Sequence, residues 1–297
     1  MQAKIHLVLG ATGNTGTWVT AGLRQRGVNV RARARSTSPR FDWHDETTWE
    51  PALSGVTDAY LVAAWAQDPS PDGDKKPGMA RGGFAHEQMA RFSRLAADSG
   101  VRHLVLLSGR TGLSGSHIVA PLEQAVRDSG TAWTILRPGT FAQNFTSQET
   151  REAIGAGCFQ GFDVGGECED FIDVADIAAV AVEILTSPGR QHEGMIYELS
   201  GPEALTTREA VAIIGRTLGR HIEYAEVSPD AWATQARAQG LDEESIDSFL
   251  TANRSVREGY FRPHDGVQRV LGREPRAFAD FVLEAAASGA WGPVRPD

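Results

Sequence analysis

Ile5-His6-Leu7-Val8-Leu9-Gly10-Ala11-Thr12-Gly13-Asn14-Thr15-Gly16 is a short apolar run that stops at a glycine, followed by glycines at every third position. The run has the length of a buried strand, and residues 17–25 after it predict a helix. A strand, a tight turn and a helix N-terminus in that order make a cradle for a dinucleotide pyrophosphate. Gly10 lets the chain turn at the strand end. Gly13 lets backbone approach a phosphate, and Gly16 lets the helix sit close to the strand. The unpaired N–H groups at the helix start attract an anion, helped by the helix dipole. Thr12, Asn14 and Thr15 lie between the glycines and complete the expected cofactor loop.

Outward from this loop, strand and helix signals alternate, which predicts a parallel sheet with crossover helices. Further strands are expected at 28–34, 59–63, 104–107 and 133–136. Helices are expected at 47–53, 84–99 and 120–129. Residues 67–83 stand apart, with Pro69, Pro71, Pro77 and several glycines. They follow the third strand, on the carboxyl edge where ligands bind in open sheets, and read as either a lid or a plain surface loop. The second half predicts helices at 177–185 (capped by Asp173 or Asp176), 206–218 (capped by Thr206), 231–238, 243–253 and 276–287. Strands are expected there at 196–199 and 222–225. The fold class is therefore α/β, a Rossmann-type doubly wound parallel sheet. A cofactor core over 1–150 is followed by a smaller substrate-side α/β region over 151–297, interleaved with it as one compact unit.

Composition narrows the function classes. The 297 residues are 41% hydrophobic, ample for a buried core. No apolar run approaches the ~20 residues of a membrane helix, and no signal peptide is seen, so a cytoplasmic protein is expected. A net charge of −9 argues against nonspecific nucleic-acid binding. Cys158 and Cys168 are expected as free thiols, and no Cys/His cluster has metal-ligand spacing. The expected state is a monomer or homodimer acting on a small molecule.

The second strand ends Val30-Arg31-Ala32-Arg33-Ala34-Arg35-Ser36. An NAD site places Asp or Glu at this point to hold the ribose 2′-OH. No acid is present. Arg35 falls where a 2′-phosphate would sit, with Arg33 or Ser36 in support, and guanidinium matches phosphate geometry. NADP(H) is therefore favoured, with NAD(H) still usable, and Asp42 and Trp43 are expected near the adenine.

The chain resembles the NmrA-like group of atypical short-chain dehydrogenase/reductases. Residues 10–16 and Arg35 carry the cofactor part. Phe41-Asp42-Trp43-His44-Asp45-Glu46-Thr47-Thr48-Trp49 is similar to a phrase of the ergot-alkaloid (festuclavine-type) reductases. Gly100-Val101-Arg102-His103-Leu104-Val105-Leu106-Leu107-Ser108, Thr134-Ile135-Leu136-Arg137-Pro138-Gly139-Thr140-Phe141 with Asn144, and residues 171–177 are group-wide phrases. The resemblance implies a Rossmann fold binding NAD(P)(H) and a variable C-terminal substrate cleft. Group members include quinone reductases, iminium or enone reductases, and redox-sensing regulators.

The chain departs from the superfamily at the proton donor. Classical members use Tyr-x-x-x-Lys, but none of Tyr60, Tyr197, Tyr224 and Tyr260 has a lysine four residues on. The helix after Ser108 carries His117, Pro121 and Glu123 instead. Interconversion of simple alcohols and ketones is thus not expected. A quinone or iminium accepts hydride with little acid help, so placing it against the nicotinamide supplies most of the catalysis. Ser108 and His117 are the candidate catalytic groups. Ala63, Pro138 and Thr140 are expected on the cofactor, and Trp65, Phe141 and Asn144 on the substrate. The leading expectation is an NADPH-dependent reductase of a planar aromatic molecule, a quinone- or anthraquinone-type intermediate of secondary metabolism. Its reduced product could react with oxygen and give a net hydroxylation. An iminium or enone reductase and a non-catalytic NADP-sensing regulator that docks on a protein partner remain as alternatives.

Overall fold

The computed structural model describes residues 4–63, 82–110, 116–162 and 165–292. Its first half runs β1 (Ile5–Leu9), α1 (Asn14–Gln25), β2 (Asn29–Arg33), α2 (Trp49–Leu53), β3 (Asp58–Val62), α3 (Gly82–Asp98), β4 (His103–Leu107), α4 (Ser116–Arg127) and β5 (Ala132–Pro138). The second half runs α5 (Gln148–Ala156), β6 (Cys158–Phe162), α6 (Val174–Thr186), β7 (Met195–Leu199), α7 (Thr207–Thr217), β8 (Glu223–Val227), α8 (Pro229–Ala238), α9 (Glu243–Arg257), α10 (Gly266–Leu271) and α11 (Phe278–Ala287).

Six strands form one parallel sheet in the order β2-β1-β3-β4-β5-β7. Side chains alternate across a strand, so each strand feeds both faces. Leu7, Leu9, Leu61, Leu104 and Leu106 pack with Trp49, Met89 and Phe92 on one side. Val8, Tyr60, Val105 and Leu136 pack with Val19, Ile177, Val180 and Ile184 on the other. Val30 and Ala32 of β2 join the second layer, as the alternation predicts. The order reverses between β1 and β3, and that switch point opens a crevice at the carboxyl ends of the strands. The doubly wound parallel architecture expected from the sequence is present.

The division at residue 150 describes chain order and not packing. The sixth sheet position belongs to β7, and α6 packs along α1. Helix α10 also packs on α6 and β7, and much of the rest of the second half forms a further layer. There β6 and β8 pair in parallel, and α7 and α11 bury Ile214, Phe278 and Phe281 against Phe145 and Phe171. Asp173, not Asp176, caps α6, accepting from the Ala175 N–H. Thr206 caps α7 in a reciprocal box with Glu209.

Three elements escaped the sequence reading, namely α5, β6 and α10. Gly161 interrupts the apolar pattern of β6, and a side chain there would overlap Tyr224 of β8. Helix α3 begins at Gly82, inside the segment read as a lid or loop; residues 67–81 of that segment lie outside the described residues. No helix among the described residues is long and apolar enough to cross a membrane. Among those residues no group of three His, Cys, Asp or Glu could hold a metal, and both cysteines are free.

Candidate active site

The crevice at the switch point is a cavity of about 880 Å³ running from the glycine loop to the ends of β4 and β5. At one end, Gly10 takes a left-handed turn with φ +66° as β1 stops. Gly13 is the N-cap of α1 and donates its N–H to the Gly10 carbonyl at 2.9 Å. No side chain caps the helix and no acid lies in its first turn, so this end of the helix, which lines the cavity, suits an anion. A Cβ on Gly16 would overlap the Gly10 carbonyl oxygen, which is the close helix–strand approach expected there. Thr12, Asn14 and Thr15 line the same wall. Thr15 is buried and also accepts from the Tyr60 hydroxyl at 3.1 Å. Burial pushes the Tyr60 phenol well above its ordinary range, so this tyrosine is a structural donor.

Past β2, Arg35, Ser36, Asp42 and Trp43 line the cavity. Arg35 is exposed and makes no ion pair among the described residues. Arg33 does not line the cavity; its guanidinium donates to the Ala32 carbonyl at 3.1 Å. Arg31 points the same way and donates to the Ala52 and Ser54 carbonyls. Of the strand-end arginines, then, only Arg35 reaches the site, with Ser36 beside it donating to Thr12 at 3.3 Å. The Phe41–Trp49 phrase has a structural logic that the sequence did not reveal. Trp43 stands edge-on in a box with Phe41, Trp49 and Phe92, and the Trp49 indole donates to the Asp42 carbonyl at 3.0 Å. This fixes the loop that closes this end of the cavity.

At the other end the cavity meets Val62, Ala63, Leu107, Ser108, Pro138, Thr140, Phe141 and Asn144. Phe261 reaches in from the second half. Trp65 lies outside the described residues, as does the side chain of His117. Ser108 is buried and its hydroxyl donates a hydrogen bond to Glu123 of α4 at 2.8 Å. Glu123, itself buried, takes two further bonds from the Arg137 guanidinium at 2.7 and 2.6 Å. Arg137 reaches Glu198 of β7 at 3.1 Å, and these carboxylates hold its guanidinium firmly protonated.

Arg110 continues this chain of charges. It is buried, pairs with the buried Asp170, and lies 3.9 Å from Glu198. Its guanidinium also donates to the Arg262 carbonyl at 2.7 Å and sits 5.6 Å from the Phe261 ring centroid. Burial pushes Arg110 down to about 10. Gly139 makes room for the pair, since a Cβ there would overlap Asp170 and lie 2.6 Å from the Arg110 guanidinium. Neither Arg110 nor Asp170 was singled out from sequence. The available signal was an arginine three residues past the apolar run 104–107, opposite a Pro-Gly. The ionic chain ties the ends of β4, β5 and β7 to α4 and to the loop before α6.

The cofactor loop at a switch point, with a second, apolar compartment beyond it, matches known families. A profile described as NAD(P)H-binding matches residues 10–188, and the NmrA-like family profile matches residues 105–277. The chain belongs to the NmrA-like family. Among its relatives is the (4-alkanoyl-5-oxo-2,5-dihydrofuran-3-yl)methyl phosphate reductase of Streptomyces griseus, 34% identical over 94% of this chain and 97% of that protein. The agroclavine dehydrogenase of Claviceps fusiformis is 29% identical over 94% and 96%. Among solved structures, an NADPH-dependent quinone oxidoreductase of Escherichia coli complexed with NADPH superposes with a TM-score of 0.73. It is 23% identical, over 94% of this chain and 99% of that one. That superposition speaks for the fold, and the NmrA-like membership rests on the sequence profiles.

Proposed function

We propose that this NmrA-like protein is an NADPH-dependent reductase of a flat, conjugated small molecule, of which a quinone is the leading class. The observation that carries this is the continuous cavity. It runs from the helix N-terminus and Arg35, which suit pyrophosphate and 2′-phosphate, to an apolar compartment bounded by Leu107, Phe141 and Phe261. Such a compartment suits an aromatic plane laid against the nicotinamide ring. Arg35, Ser36 and the backbone of residues 10–16 hold the phosphates, and Pro138, Thr140 and Ala63 face the nicotinamide half. When bound, the cofactor supplies hydride. The chain positions the acceptor and keeps water out.

Ser108 serves in this reading as the peg that seats Glu123, because its proton is committed to that carboxylate. The absence of Tyr-x-x-x-Lys favours acceptors that need little acid assistance. An enone or iminium acceptor is the second reading, supported by the furanone-phosphate reductase and agroclavine dehydrogenase relatives. The test is loss of NADPH absorbance, with NADH alongside, against naphthoquinones, anthraquinones, butenolides and cyclic iminium ions, with oxygen uptake followed in parallel. Turnover with quinones and oxygen consumption supports the leading reading, and turnover only with butenolides or iminium ions supports the second. Saturable NADPH binding without turnover refutes the reductase reading and favours a sensor.

A further inference from the structure

The carboxylates at the ends of β4, β5 and β7 and at the start of α6 have cationic partners. Glu123 has Arg137 and Arg127, Asp170 has Arg110, and Glu198 has Arg137. Asp173 and Asp176 at the start of α6 have Arg276 and Arg273. Glu169 has no cation among the described residues. Its oxygens accept instead from two hydroxyls, Thr140 at 2.6 Å and Thr207 at 3.3 Å. Thr140 lines the cavity, so its side chain connects this carboxyl to the wall of the site.

We propose that Glu169 is the proton reservoir of the reduction, delivering its proton to the substrate through the Thr140 hydroxyl. This rests on the reductase reading above. The path is held by backbone. Glu169 and Leu205 exchange N–H to carbonyl bonds at 2.8 Å in both directions, and the Ile172 N–H donates to the Thr140 carbonyl at 2.9 Å. Burial raises the Glu169 carboxyl above the ordinary glutamate range, against the two hydroxyl bonds.

The groups around it leave that raised state intact. On α7, Arg208 is engaged with Glu226, and Glu209 with the Thr206 cap. On β8, the Tyr224 phenol is raised by burial and stays neutral. On its own segment, Asp170 is neutralised by Arg110. The Cys168 thiol is raised and lies in the field of Glu167, Glu209 and Arg262.

Hydride addition leaves the acceptor with a negative oxygen. The Thr140 hydroxyl, which donates to Glu169 in this structure, turns to give its proton to that oxygen as it accepts the proton of Glu169 in its acid form. Glu169 is left as a carboxylate and takes up a proton before the next turnover. The cofactor loses two electrons and the acceptor gains them, so no further oxidant or reductant is required.

The test uses Glu169→Gln, which keeps a bond to Thr140 without a transferable proton, with Thr140→Val and Thr140→Ser. In wild type, kcat/KM should fall as pH rises through the Glu169 titration. Glu169→Gln and Thr140→Val should lose that limb and be at least about tenfold slower on its acid side, more with an enone than with a quinone, within the usual range of general-acid effects. Thr140→Ser should restore the limb. Independently of cofactor, carboxyl-labelled glutamate NMR should show one resonance titrating above the ordinary range and missing from Glu169→Gln. A Glu169→Gln enzyme with the wild-type rate and pH profile, or a Glu169 resonance titrating in the ordinary range, overturns the relay. If Glu169→Gln does not fold, Thr140→Val with an unaltered pH limb overturns it equally. A wild type that reduces no acceptor overturns the reductase reading and the relay together.

Discussion

Gly16→Ala concentrates the argument for the cofactor loop into one methyl group. The added Cβ would overlap the Gly10 carbonyl oxygen and lie 2.7 Å from its carbon and 3.0 Å from the Ala11 Cα. Ordinary contacts of a Cβ lie at 3.4–4 Å, so α1 must withdraw by about 1 Å at its first turn. It cannot withdraw freely. On its outer side Gly22 faces Val182 of α6, where a Cβ would already meet a methyl at 2.9 Å. Overpacking of this kind costs about 1–3 kcal/mol, which in a chain of this size lowers Tm by roughly 2–10 °C. The helix N–H groups move with the helix, so NADPH affinity should weaken by at least about tenfold, the equivalent of ~1.4 kcal/mol. Differential scanning fluorimetry reads the first effect and isothermal titration calorimetry the second. Gly22→Ala is the control. Its obstacle is a side-chain methyl that can turn aside, so it should cost less than Gly16→Ala and leave NADPH binding within about twofold. A Gly16→Ala protein with wild-type Tm and NADPH affinity would refute the close-packing account of this loop.

Three further outcomes follow from particular contacts. Arg35→Ala removes an exposed cation that makes no ion pair among the described residues; NADPH affinity should fall about tenfold or more while NADH affinity and Tm stay unchanged, and equal loss for both cofactors would remove Arg35 from the 2′-phosphate. Asp170→Ala leaves Arg110 buried without its close carboxylate and should cost about 3–5 kcal/mol in urea unfolding, whereas Arg110→Met combined with Asp170→Leu should recover most of that loss. His6, His103 and His192 are all held below the ordinary histidine value by burial. The folded state therefore binds fewer protons than the unfolded chain, and stability is full above about pH 6.5 and declines as pH falls below it. Urea midpoints at about pH 7.5 and about pH 5.5 check this, and a flat profile would mean that these rings titrate normally.

The glycine loop was legible because each residue there answers a local backbone demand, and local demands leave a local signature. The same holds for Asp173 and Thr206 as caps and for the leucines that alternate through β1 and β4. Arg35 could be placed by counting along a strand, and the structure separates it from Arg31 and Arg33, whose carbonyl acceptors come from folded backbone. What the sequence hid is contact between distant segments. Ser108 looked like a free hydroxyl until Glu123 arrived from α4. Arg110 and Asp170 are sixty residues apart, and nothing in either neighbourhood announces the other. Glu169 was invisible for the same reason, since its meaning lies in Thr140 across a loop and in the cation it lacks.

The placement of β7 in the cofactor sheet bears on how this family can exchange parts. A single crossover near residue 150 between two relatives would separate β5 from the strand it pairs with and α1 from the helix it packs on. A chimaera that transplants substrate preference must therefore leave residues 172–199, and the α10 that packs on them, with the recipient and carry the other flanking stretches from the donor. Recombination in separate blocks preserves the sheet, whereas recombination in one cuts it.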